Sequence, residues 1–475
     1  MSNLKVVAIK GVIWSLFDKL INQVGNFVLL IYLSNILSPA DFGMIAMLAI
    51  FLAIAQSLID SGFSQALVQK SHKVTEIDLS TVFYVNLGVS VLLYCLLFVL
   101  APAIANFFHQ PELVDLSRAL FIVVIINALA LVPRAKLMIA VDFKSQGLIN
   151  SASMIISAAV TIYMINVGYG YWSLVAMNLV KSLISALLLM LFSRWRPKWL
   201  FSTESFSKLF SFGSNLLIAG LLATTVQNLY SILIGRHFNA LQLGYFQQGF
   251  NYTNILSSTL SSVVQGVTYP IMTSIQQDEE RLVKVYVRVM SIVTLVTFPV
   301  FVGFAAISEE FVKIFLGDKW IPIIPILFIL SFARLITPIS SLNLNILNAR
   351  GRSDLFLKTD LCKLPMTIVA LFIAAPYGIV AVAVSQLIIV IISFFINAYY
   401  PGKLFGYGAI AQLRQILPIA LATLIMYAVI NQIKLDSLWL QLVLKIVLGM
   451  FIYCGSCWIL KVKALEDIKD IIQRK

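Results

Sequence analysis

Two cations stand where an apolar segment has least use for them. Lys181 lies about ten residues from either end of the apolar run 171–192, and Arg334 is similarly deep in the run 321–347. At 1.5 Å per helical residue each sits roughly 15 Å from the nearest end. An unpaired charge at that depth costs on the order of 3 kcal/mol against hydrocarbon. The chemistry open to such residues is recognition of an anion, Arg offering a planar fork and Lys a point charge to phosphate-like oxygens. Lys19 and Lys445 are further cations within runs, and Asp18 and Asp60 are carboxylates within runs. A hydrated interior shared by these groups would be net positive and would suit a phosphate or diphosphate. Asp18 and Asp60 are the groups able to carry a coupling proton or sodium ion. The purely structural alternatives are intramembrane pairing, for example Asp60 with Lys181, and snorkelling of Lys19.

Polar stripes at helical spacing accompany these charges. One face of the first run carries Ser15, Asp18, Asn22 and Asn26. The seventh run carries Thr224, Asn228 and Ser231, and the eighth Asn251, Asn254, Ser258, Ser261 and Gln265. Lipid-facing helices have no use for aligned amides, so the stripes mark helix contacts or a wet interior. The candidate substrate contacts are therefore Lys181, Arg334, Lys19, Asn22, Asn26, Asn228 and Asn254, with Asp18 and Asp60 as candidate ion-coupling groups. Nothing supports catalysis. His72, His109 and His237 are far apart, and no metal spacing, phosphate loop or nucleophile motif occurs. No cofactor, metal or catalytic residue is expected. Cys454 and Cys457 form a C-G-S-C string within an apolar run and read as small residues packing a helix.

The elements that must hold these residues are legible in the composition. Of 475 residues 60% are hydrophobic and 12% charged, far more apolar surface than a soluble core can hide. The apolar residues gather into runs at about 11–33, 42–68, 79–105, 117–133, 148–167, 171–192, 209–235, 248–274, 286–306, 321–347, 357–376, 379–400, 411–431 and 438–460. The fold class is all-α polytopic membrane protein with about 14 transmembrane helices. Loops assigned alternately from a cytoplasmic N-terminus place about 25 of the 34 Lys and Arg inside and about 5 outside. The inside group includes Lys70, Lys73, Arg134, Lys136, Lys144 and the tail from Lys461. The net charge of +13 thus marks cytoplasmic loops rather than a nucleic-acid partner. Both termini are expected in the cytoplasm.

The chain also echoes itself. LSNILSPADFGM (33–44) overlays IGRHFNALQLGY (234–245) at an offset of 201, superposing Gly43 on Gly244, and GYGYWSLVAMNL (168–179) overlays PYGIVAVAVSQL (376–387) at 208. Six runs per half is an even number, so the repeats enter the membrane the same way, as two parallel six-helix lobes with a pseudo-twofold axis along the membrane normal plus a C-terminal helix pair. The expected organisation is an N-terminal lobe over 1–197, a cytoplasmic linker over 198–208, a C-terminal lobe over 209–402, the extra pair over 403–462 and a cytoplasmic tail over 463–475. The extra pair forms either a lateral groove or a packed rim. Trp195 and Trp199, beside Arg194, Arg196 and Lys198, read as an interfacial anchor.

GVIWS (11–15), LSPADFG (37–43), DSGFSQALVQK (60–70), VTYPIMTSIQQDEERL (267–282) and FLGDKWIPIIPIL (315–327), taken in order, resemble the Wzx-type flippases of bacterial lipid-linked oligosaccharides. These form the polysaccharide-transporter branch of the multidrug/oligosaccharidyl-lipid/polysaccharide exporter superfamily, and the colanic-acid-exporter-like subgroup matches best. The resemblance implies a bacterial inner-membrane protein, not an enzyme. It would move undecaprenyl-diphosphate-linked repeat units from inner to outer leaflet by alternating access, with membrane lipids and a polymerase of the same pathway as further partners. The competing reading is a cation-coupled multidrug exporter of the same superfamily, for which an excess of buried carboxylates would be expected. The family carries over no fixed set of site residues, so the candidates above rest on depth and spacing.

Overall fold

The computed structural model describes residues 2–60, 62–70 and 74–465, with the side chains of residues 2–13, 15–17 and scattered helical positions outside the description. His72, Lys73, the Ser15 side chain and the tail beyond 465 therefore lie outside the described residues. The chain is helical: α1 (Ser2–Ile36), α2 (Pro39–Asp60), the short α3 (Phe63–Gln69), α4 (Glu76–Phe108), α5 (Leu113–Leu120), α6 (Ile122–Ile139), α7 (Phe143–Asn166), α8 (Trp172–Ser193), α9 (Thr203–His237), α10 (Ala240–Ser274), α11 (Glu279–Ala306), α12 (Ser308–Phe311), α13 (Ile324–Ala349), α14 (Ser353–Ala374), α15 (Ile379–Phe405), α16 (Ala409–Ile430) and α17 (Leu438–Ile459). Ten of the described segments are long and apolar enough to cross a bilayer. The other long helices are α1, α9, α10 and α14, of which α14 carries Asp354, Lys358, Asp360 and Lys363. Polar caps start the helices where the sequence provides them. The Thr75 hydroxyl accepts from the Asp78 N–H while Asp78 accepts from the Thr75 N–H, and Asp142 accepts from the Ser145 N–H at 3.0 Å.

The chain divides into two compact units, Met1–Gly244 and Tyr245–Lys475. The segment 193–202 and α9 adhere to the first unit. Trp195 Nε1 donates to Glu76 Oε2 at 3.1 Å. The Lys198 and Ser202 N–H groups donate to the hydroxyls of Ser80 and Thr81, and α9 packs along α2. Trp195 is consequently 4% exposed and not an interfacial anchor, whereas Trp199, stacked on Tyr84, is 93% exposed.

Each unit contains four helices packed in the same order. In the first unit α4 packs on α6, α6 on α8 and α8 on α7; in the second, α11 packs on α13, α13 on α15 and α15 on α14. The tight turns before α8 and α15 both use a glycine with positive φ, Gly170 and Gly378, which are 208 residues apart like the sequence echo. The echo at offset 201 has a physical counterpart inside the first unit. The starts of α2 and α10 cross so closely that a Cβ on Gly43 would meet the Ala240 carbonyl oxygen at 1.8 Å, and a Cβ on Gly244 would meet that of Pro39 at 1.7 Å. Residues 39 and 43 thus exchange contacts with their own equivalents, 240 and 244.

In the second unit α16 packs on α11, and α17 on α16 and α12. A neutral buried network fixes α16. Tyr286 donates to Asn343, Asn343 Nδ2 donates to Gln412 Oε1 at 3.2 Å, and Gln412 Nε2 donates to the Tyr407 carbonyl at 3.1 Å. Lys445 of α17 pairs with Glu310 of α12 at 2.5 Å, both side chains nearly inaccessible. The segment 307–320 between the runs 286–306 and 321–347 is folded: after α12 a π-helical turn covers Val312–Leu316 and a 3-10 turn Asp318–Ile323.

Candidate functional site

Four helices of the first unit, α1, α6, α7 and α8, wall a cavity of about 320 Å3. From α1 come Asp18, Lys19, Asn22, Gln23 and Asn26, the spacing of three and four that keeps side chains on one face of a helix. From α6 come Asn127 and Arg134, seven residues or two turns apart. Asn150 and Ser153 come from α7, and Lys181, Ser182 and Ser185 from α8. Three cations and one carboxylate leave this cavity with a charge of +2.

The carboxylate is occupied by neutral groups. Asn22 Nδ2 donates to Asp18 Oδ1 at 2.6 Å, Asn150 Nδ2 to Oδ2 at 3.1 Å and Ser151 Oγ to Oδ1 at 3.4 Å. Amide and hydroxyl donors satisfy Asp18 without consuming a cation. Among the described residues neither Lys19, Arg134 nor Lys181 forms an ion pair. The cavity therefore presents two ammonium groups and a guanidinium, backed by amides and hydroxyls. This donor set can surround an anion and hydrogen-bond polar hydroxyls beside it.

The structure brings Lys181, Lys19, Asn22, Asn26 and Asp18 of the sequence candidates into this cavity. It does not bring the others there. Asp60 ends α2, exposed, and accepts from Gln56 Nε2 at 3.4 Å; Gln56 in turn accepts from the cavity residue Asn127 at 2.8 Å. The Asp60–Lys181 pair considered above is not formed. Asn228 donates to its own helix, to the Thr224 carbonyl at 2.8 Å. Asn254 and Arg334 belong to the second unit, the Arg334 guanidinium lying 4.3 Å from the centroid of the Phe250 ring. Lys445, counted from sequence toward a positive interior, is neutralised by Glu310.

Sequence reasoning missed Arg134, Asn127 and Asn150. Arg134 directly follows the run 117–133 and read as a cytoplasmic loop residue, with Pro133 as its boundary. The helix instead continues through Pro133 to Ile139. The usable signal was the seven-residue spacing from Asn127, which puts both on one face. Among the described residues no group of His, Cys, Asp and Glu could hold a metal ion, and all four cysteines are free.

A family model described as "Polysaccharide biosynthesis protein" matches residues 32–325. The chain is 26% identical over 428 residues to the teichuronic acid biosynthesis protein TuaB of Bacillus subtilis strain 168, covering 89% of this chain and 88% of that protein. It is 24% identical over 399 residues to the lipopolysaccharide biosynthesis protein WzxC of Escherichia coli K12, covering 82% and 80%. Among solved structures it superposes on the lipid II flippase MurJ in an inward closed conformation with a TM-score of 0.75 and 16% identity, over 97% of this chain and 98% of that one. That likeness is one of fold.

Proposed function

Because the chain belongs to the polysaccharide biosynthesis protein family of membrane transporters, we propose that it is a flippase carrying undecaprenyl-diphosphate-linked oligosaccharide repeat units from the inner to the outer leaflet of a bacterial cytoplasmic membrane. The observation that carries this reading is the unneutralised charge of the α1–α6–α7–α8 cavity. A diphosphate esterified at both ends bears two negative charges, which the surplus of Lys19, Arg134 and Lys181 over Asp18 matches. Asn22, Asn26, Asn127 and Asn150 then face the first sugars. At about 320 Å3 the cavity lies at the small end for ligand sites, so it takes the diphosphate and its nearest sugar while the rest of the repeat extends beyond it. The names of the relatives, tied to teichuronic acid and lipopolysaccharide, support a surface glycan as cargo. A pump for cationic amphiphiles calls for the opposite charge balance.

The polar helices α1, α9, α10 and α14 complete fourteen spans in this proposal, and two repeats, α1–α8 and α9–α15, are related by a pseudo-twofold axis. The reciprocal crossing of Gly43 and Gly244 and the repeated packing order support that symmetry. Both termini then face the cytoplasm. Asp18, already ringed by neutral donors, is the proposed coupling group. The test is surface polysaccharide output from strains carrying Lys181→Ala or Arg134→Ala at unchanged membrane abundance. Losing one charged contact to phosphate lowers output about tenfold in each. Wild-type output from both variants refutes the assignment.

A further inference from the structure

A second cavity, of about 760 Å3, opens in the second unit where α15 ends and α16 begins. Its construction differs from the first. One wall is apolar and outward-facing: Phe395, Tyr399 and Ile410 are 48%, 60% and 71% exposed. Its floor is nearly bare backbone, since a Cβ on Gly402 would meet the Gly408 Cα at 2.8 Å, and Gly406 turns the chain at a φ of 69°. At this floor stand two cations, Lys403 from the last turn of α15 and Arg414 from α16. Arg414 is held outward by its helix. Gln412 is fully buried against Asn343, and two residues further on the side chain points about 200° away. Neither Lys403 nor Arg414 forms an ion pair among the described residues.

We propose that this groove binds the headgroup of an anionic glycerophospholipid, with the phosphate between Lys403 and Arg414 and an acyl chain along Phe395 and Tyr399. The charge decides the occupant. An apolar face on a membrane helix accepts any lipid tail, but two exposed cations at the end of that face favour a headgroup of net negative charge over a zwitterionic one. The uncapped first turn of α16, whose N-cap is Gly408, adds backbone N–H donors to the same place. The neutral network from Gln412 to Tyr286 and Asn343 keeps the α16 wall fixed, so the groove is formed before the lipid arrives. Occupancy would tie the seam between α15 and the terminal helix pair to the lipid composition of the membrane.

The test is native mass spectrometry of the delipidated full chain titrated with phosphatidylglycerol, phosphatidylcholine and undecaprenyl phosphate. The wild type retains phosphatidylglycerol in preference to phosphatidylcholine. Lys403→Gln with Arg414→Gln weakens that binding roughly thirtyfold, about fivefold for each cation, whereas Lys403→Arg preserves it and Lys434→Gln, an exposed cation outside the groove, leaves it unchanged. Circular dichroism of the double variant matches the wild type, because both side chains are exposed. Equal retention of the two phospholipids, or an unchanged preference in the double variant, overturns the proposal. Undecaprenyl phosphate displacing phosphatidylglycerol at equal concentration also overturns it and assigns the groove to a polyprenyl lipid.

Discussion

The α2–α10 crossing permits a quantitative test of the internal symmetry. Gly43→Ala would put a methyl carbon 1.8 Å from the Ala240 carbonyl oxygen, where real Cβ contacts are essentially never below 3.0 Å, so the helices must part by about 1.2 Å. Gly244→Ala demands about 1.3 Å by the same reasoning, from 1.7 Å at Pro39. The obstacle is backbone in both cases and cannot rotate away. Each substitution therefore belongs at the upper end of overpacking costs, about 2–3 kcal/mol. Both costs arise from one separation. Once Gly43→Ala has parted the helices, Gly244→Ala finds most of its room already made, and the double variant should be more stable than additivity predicts by at least about 1 kcal/mol. Thermal unfolding of the purified protein in detergent, run as a double-mutant cycle, measures this. Gly88→Ala in α4, whose Cβ would meet nothing within 4 Å, is the control and should be neutral or slightly stabilising. Single variants within about 0.5 kcal/mol of wild type, or two large effects that simply add, would refute the reciprocal contact.

Three further outcomes follow from the structure. Glu310→Gln alone leaves the Lys445 ammonium buried without its partner and should cost about 3–5 kcal/mol, whereas Glu310→Gln with Lys445→Met should recover most of the loss; denaturation midpoints in detergent decide. Two hydrogen bonds from Ser145 hold the Asp142 carboxyl below the usual carboxylate range. A depressed folded-state pKa means that its stabilisation is complete above the unfolded value near 4 and is lost as pH falls through the folded one. Asp142→Asn should keep the cap but flatten that acid limb, and Asp142→Ala should cost about 1 kcal/mol at neutral pH, read from melting temperature against pH. Trp195→Phe, which removes the donor to Glu76, should destabilise the first unit by about 1–2 kcal/mol, whereas Trp199→Phe should leave stability unchanged; limited proteolysis of the 193–202 segment reports both.

Local signals in the sequence served well where the physics is local. The spacing of Asp18, Asn22 and Asn26 places them on one face of α1 without knowledge of any neighbour. Gly43 and Gly244 stood out in the sequence echo, and both lie where only glycine tolerates so close a crossing. The failures involve partners distant in the chain. Trp195 looked like an anchor at a membrane surface because Glu76, 119 residues away, is invisible to composition. Lys445 counted as a free interior charge because Glu310 fell in a segment read as a loop. Arg134 was lost to a boundary rule, since a proline inside a membrane helix need not end it when neighbouring helices satisfy the freed backbone.

Those partners decide where charge remains available. Lys445 is neutralised by Glu310, Lys363 by Asp360 and Lys70 by Asp78. Had Asp18 paired with Lys19 or Lys181 in the same manner, the cavity would have kept two open cations instead of three, beside a rigid ion pair for any arriving anion to break. Its oxygens are instead filled by Asn22, Asn150 and Ser151, which hold the carboxylate in place while leaving the cations open. On the proposed function the arrangement would also limit affinity, because the nearby negative charge would keep the site from holding a diphosphate too strongly to release it. Replacing Asp18 with Asn should therefore strengthen binding of a soluble diphosphate while slowing turnover. Isothermal calorimetry with the purified protein measures the first effect and surface polysaccharide output the second. Weaker binding in Asp18→Asn would show instead that the carboxylate organises the cations rather than tempering them.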